Sequence, residues 1–119
     1  NMATLANQGV ASQASFGQLG SGFLDDAGEY IPPSGYVVVA ITCLADTAFD
    51  ILTPEAINTC FGFAANSGVG TANEVIDASN IFPQGITIYG RWTNVGITAD
   101  AAGGVILYLG PSKSPNQTA

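Results

Sequence analysis

The stretch Tyr36-Val37-Val38-Val39-Ala40-Ile41-Thr42-Cys43-Leu44 is rich in β-branched residues and apolar at odd and even positions alike. A strand with that pattern has no wet face and belongs inside a sheet covered on both sides. Val105-Ile106-Leu107-Tyr108-Leu109 repeats the pattern, led in by Gly103-Gly104 and ended by Gly110-Pro111. Two buried strands require neighbours, and the rest of the chain offers them. Residues 46 to 52 alternate, with Thr47, Phe49 and Ile51 on one face and Asp46, Ala48 and Asp50 on the other, which predicts a core face and a wet face. After the break at Thr53-Pro54-Glu55, Ile57, Phe61 and Phe63 share a parity with Thr59 in a further predicted strand, unless Thr53 caps one or two helical turns over 54 to 60. Pro32-Pro33-Ser34-Gly35 and Pro83-Gln84-Gly85 are turn signals. Past the second, Ile86, Ile88 and Trp92 face one way and Thr87, Tyr89, Arg91 and Thr93 the other, with Gly90 at a bulge. Short strands, frequent turns and no convincing long helix predict an all-β fold, an antiparallel β-sandwich or jelly roll.

With 119 residues the chain has room for one core. Residues 1 to 28 differ in texture, being mostly Ala, Gly, Ser, Gln and Asn without a sustained apolar period. Two readings fit: a disordered terminus, or an extended N-terminal arm that orders on a partner through the spaced anchors Phe16, Leu19, Phe23 and Leu24. The expected organisation is therefore an arm at 1–28, a β domain at 29–111 and a polar tail at 112–119. Residues 65 to 80 read as a long loop with a short strand at 74 to 76, a place for a binding tip or a contact arm.

Charge then limits function. Charged residues make up 9% of the chain, against roughly 25% in ordinary soluble domains. Nine acids face two cations, Arg91 and Lys113, with no histidine and a net charge of −7. Nucleic-acid binding needs several Lys or Arg on phosphates, so that class is set aside. Without histidine no Ser-His-Asp or Cys-His catalytic unit can be assembled, and the commonest metal ligand is missing. Asp25, Asp26 and Glu29 lack the spacing of a calcium loop. Gly68-Val69-Gly70 lacks the third glycine and the helix of a phosphate cradle. Asp46 and Asp50 would stand about 13 Å apart along a strand, too far for a catalytic pair. Tyr89 and Arg91 could frame a sugar or peptide platform, but Trp92 has the opposite parity and is assigned to the core. Asn116-Gln117-Thr118 matches a glycosylation acceptor, a common chance tripeptide. Cys43 and Cys60 fall on opposite parities relative to their apolar neighbours, which predicts two buried thiols and no disulfide. Arg91 is either an exposed strand residue or one arm of a carboxylate pair at a junction. No catalytic residue, metal site, cofactor or small-molecule substrate is expected. The longest apolar stretch, Tyr36 to Ala45, is about half of the ~20 residues of a spanning helix, so no membrane association is expected. Asn1 to Thr4 show neither the basic region nor the apolar core of a signal peptide.

Three segments carry a resemblance: Tyr36 to Thr47, Phe82 to Thr93 (FPQGITIYGRWT) and Gly103 to Gly110 (GGVILYLG). They resemble small virion structural proteins of tailed phages that infect cyanobacteria and other aquatic bacteria. The first 28 residues and residues 65 to 80 are not covered. The resemblance implies a capsid decoration (cement) protein, made in the host cytoplasm and resident on the outer surface of the head. Its implied partners are the major capsid protein and further copies of itself, as a homotrimer, with no catalytic residue to carry over. Expected contact residues are Phe16, Leu19, Phe23, Leu24 and Arg91. The alternative is a tail, fibre or head-knob module that reads host glycan through loops at 65 to 80 and 94 to 102.

Overall fold

The computed structural model describes residues 19–57, 59–63, 76–98 and 103–113. Among them there is no helix, and seven strands form an antiparallel sheet. These are β1 (Ser21–Leu24), β2 (Gly28–Tyr30), β3 (Tyr36–Cys43), β4 (Thr47–Pro54), β5 (Ile81–Phe82), β6 (Thr87–Ile97) and β7 (Val105–Pro111). The order is β1-β7-β3-β6-β4-β5, with β2 also on β6. Both strands with the doubly apolar pattern, β3 and β7, thus pair on both edges, but only one face is fully buried: Val39, Thr42, Ile106 and Tyr108 on them are partly exposed, so the expected cover on both sides is not seen among the described residues.

β6 organises the sheet by dividing its neighbours. Its first half, Thr87 to Trp92, runs along β3, while Val95 to Ile97 lie against β2 and β4. Register shifts accompany the change, one opposite Val38/Ala40 and one opposite Thr53/Pro54. An extra residue on one strand re-aims the side chains beyond it, so the core-facing set on β6 passes from Ile88 and Trp92 to Val95 and Ile97. These pack with Val38, Ile41 and Cys43 of β3, Phe49 and Leu52 of β4, and Val105, Leu107 and Leu109 of β7. Trp92 is fully buried, as its parity implies, and its indole N–H donates to the Phe61 carbonyl at 2.9 Å. The Phe61 ring stands edge-on to it, centroids 5.5 Å apart. Gly90 leaves space for this arrangement.

Three expectations are corrected. The alternation over residues 46 to 52 fails halfway, because β4 carries a register shift between Phe49 and Ile51 that turns Leu52 rather than Ile51 to the core. Residues 55–57 and 59–63 form turns and bends instead of a strand or helix. The chain there is held by local bonds, Thr59 N–H to Ala56 O at 3.2 Å and Phe63 N–H to Leu52 O at 2.8 Å. The two thiols are free and buried, as expected, but both belong to one core cluster rather than to opposite faces. The parity argument failed because Cys60 does not lie in a strand. As for the expected arm, the sheet already starts at Ser21, since β1 pairs with β7 from Ser21↔Tyr108 to Leu24↔Val105. Phe16 lies outside the described residues, as do residues 65 to 75 of the loop expected at 65 to 80.

A methyl group at Gly90 would sit 2.5 Å from the Trp92 ring and 2.8 Å from the Cys60 sulfur. Overpacking of that kind costs about 1–3 kcal/mol. Gly90→Ala is therefore expected to lower unfolding free energy by about 2 kcal/mol in urea titration, with an unchanged slope; a neutral result would show that the Trp92 site can relax.

Candidate functional site

The strands β1, β7, β3 and the first half of β6 have a second face, opposite the core. Cross-strand register places Phe23, Ile106, Thr42 and Thr87 in one row and Ser21, Tyr108, Ala40 and Tyr89 in the next. Phe23 and Tyr89 are 56% and 61% exposed, while Ile106 and Tyr108 are half-buried. A solvent-facing sheet surface ordinarily carries polar or charged side chains, yet β1, β3, β7 and residues 87–90 contain no ionisable acid or base apart from tyrosine and cysteine. The polar groups here carry no charge: Ser21 is exposed, and the hydroxyls of the two threonines share one hydrogen bond at 2.8 Å. This face is neutral, with aromatic and aliphatic side chains set among hydroxyls.

An ion-paired cluster stands at one end of it. Arg91 donates from Nε to Glu55 Oε1 at 2.7 Å and from Nη2 to the Pro111 carbonyl at 2.5 Å. The Lys113 backbone N–H donates to the other oxygen, Glu55 Oε2, at 2.7 Å, and the Glu55 N–H donates to Arg91 O. One carboxylate thereby fastens the end of β4, the middle of β6 and the end of β7. Burial alone pushes the Glu55 carboxyl up, but hydrogen bonds from Arg91 and the Lys113 N–H, with the charges of both cations, hold it below the usual range. Both cysteine thiols are pushed up by burial, the opposite of what a reactive thiolate needs. Among the described residues there is no ligand-sized cavity and no group of three or more Cys, Asp or Glu placed to hold a metal.

Of the expected contact residues, Phe23 lies on the neutral face and Leu24 packs against the core from the other side of β1. Leu19 precedes β1 and is partly exposed, and Arg91 forms the ion pair just described. Sequence reasoning missed Glu55 as the partner of Arg91, since nothing local to Pro54-Glu55 signals a residue 36 positions away. It also missed Ile106 and Tyr108, read only as buried, because register decides which rows they complete. Compared with known proteins, the chain matches no family model, no curated protein and no solved structure.

The sign of the acid response follows from Glu55. A carboxyl held below its unfolded value contributes stability above that value and loses it as pH falls through the folded one. Glu55→Gln is expected to be less stable than the parent at pH 7, and the difference should begin to shrink below the ordinary glutamate value of 4.5 and be lost only as pH falls through the lower folded value. Arg91→Ala should cost about 1–2 kcal/mol, between exposed and buried ion pairs. Urea unfolding across a pH series checks both; curves for parent and Glu55→Gln that run parallel into acid would remove Glu55 from the account.

Proposed function

We propose that this chain is a viral structural protein, a capsid decoration (cement) protein that binds the outer surface of a phage head and bridges neighbouring major capsid subunits. The observation that carries this reading is the neutral apolar face, held on an interior-strand scaffold and suited to contact. Its position adds support, because the three segments that carry the resemblance lie side by side as β7, β3 and the first half of β6. In finer detail we read the fold as a sandwich or jelly roll, with β6 passing between two packed groups of strands.

Function in this reading is linkage. A protein that binds the assembled shell and not its dissociated subunits shifts the equilibrium toward the shell by an amount set by concentration over Kd. Burying apolar side chains supplies the affinity at about 25 cal/mol per Å² before ordering costs. Several copies, arranged as a homotrimer, would engage adjacent subunits together and gain avidity. Residues 1 to 18, which carry no charge and include Phe16, are assigned to the same contact as an arm.

Purified protein should co-sediment with phage heads that lack it and raise the temperature at which they open. Removing residues 1–18, which leaves β1 whole, should weaken that binding at least tenfold. If the shortened chain decorates heads as well as the full chain, the arm is no part of the contact. If the isolated protein binds host cells or a glycan array and not heads, the host-recognition alternative replaces the cement reading.

A further inference from the structure

We infer that the neutral face of β1, β7, β3 and β6 is the docking surface for a protein whose apolar contact patch is bordered by lysine and arginine. The inference rests on the contact role proposed above and adds to it the face and the chemistry of the partner. The face itself is small. Four strands about 4.8 Å apart, each taken as about five residues long at ~3.3 Å and so presenting two or three side chains to this face, cover about 300 Å². A standard interface takes about 800 Å² from each partner. A partner of ordinary footprint therefore reaches past the neutral face onto its border.

That border is acidic where β1 and β3 end. Asp25 and Asp26 follow β1 directly, Asp46 stands three residues beyond β3, and all three are exposed. Asp46 is also held in place, since its Oδ1 accepts from the Gln84 N–H at 2.8 Å in the turn that leads to β6. At the opposite end Arg91 is engaged by Glu55, and Lys113 lies beside the same carboxylate. The chain has no other cation to offer. A partner with acids at its border would meet uncompensated repulsion, and a second copy would bring −7 toward −7. A basic border is attracted from a distance and fits on arrival.

The test uses the full chain and two synthetic peptides of equal length, one alternating Val and Lys, the other Val and Glu, with binding read by fluorescence anisotropy at low and physiological salt. The lysine peptide should bind, weaken several-fold as salt rises, and outcompete the glutamate peptide. Phe23→Thr with Tyr89→Thr, at two well-exposed strand positions, should lose roughly tenfold in affinity. Asp25→Asn with Asp26→Asn and Asp46→Asn should retain part of the binding and lose its salt dependence. Equal binding by the parent and the Phe23/Tyr89 variant overturns the face, and equal binding of the two peptides overturns the basic border. Parent self-association in sedimentation equilibrium that the Phe23/Tyr89 variant abolishes assigns the face to a second copy instead. Because the peptides need no phage head, head binding that fails while peptide binding holds removes the cement reading alone.

Discussion

The burial of Trp92 beneath the bend of β6 is the contact on which the other strands depend. β6 is the strand shared by β3, β2 and β4, and the parity of its core-facing residues changes between Trp92 and Val95, where a register shift falls opposite Thr53/Pro54; a bulge of this kind bends the strand. A bend exposes backbone and loosens packing unless something fills its inner side. The indole does so, with its N–H satisfied by Phe61 and its ring accommodated by the missing side chain at Gly90. The turns at residues 55–57 and 59–63 thus act as a lid on the core, delivering Cys60 and Phe61 to the tryptophan.

Much of this was legible in the residues. Doubly apolar composition identified β3 and β7 as interior strands, and the parity of Ile88 and Trp92 against Tyr89 and Arg91 separated the core from the outer face of β6. What failed on β4 was the inference that carried a two-residue period across a bulge. One extra residue inverts every later position, so Leu52 took the place expected of Ile51. The same limit hid the outer face, since Phe23, Ile106 and Tyr89 become neighbours only once the order β1-β7-β3-β6 is known. Arg91 stood out by scarcity, but its partner did not.

Scarcity of charge also takes on a structural meaning. The ion pair described here joins three segments at one carboxylate, so Arg91 serves cohesion rather than solubility. Among the described residues the other acids hold turns or stand in solvent: Asp26 accepts from the Ala27 N–H, Asp77 from Ser79, and Glu29 bonds Asn94. Few charges are present, and several of them have a local duty.

The short outer strands of the sheet have a consequence for how it can pair with other chains. Exposed strand edges invite pairing with other chains, and proteins commonly discourage this with lysines placed along the edge. A chain with one lysine cannot do so. Here the strands that end the sheet are β1, of four residues, and β5, of two, too brief to template a long ladder. Short edges of this kind offer little room for open-ended edge growth, which would lead to fibres.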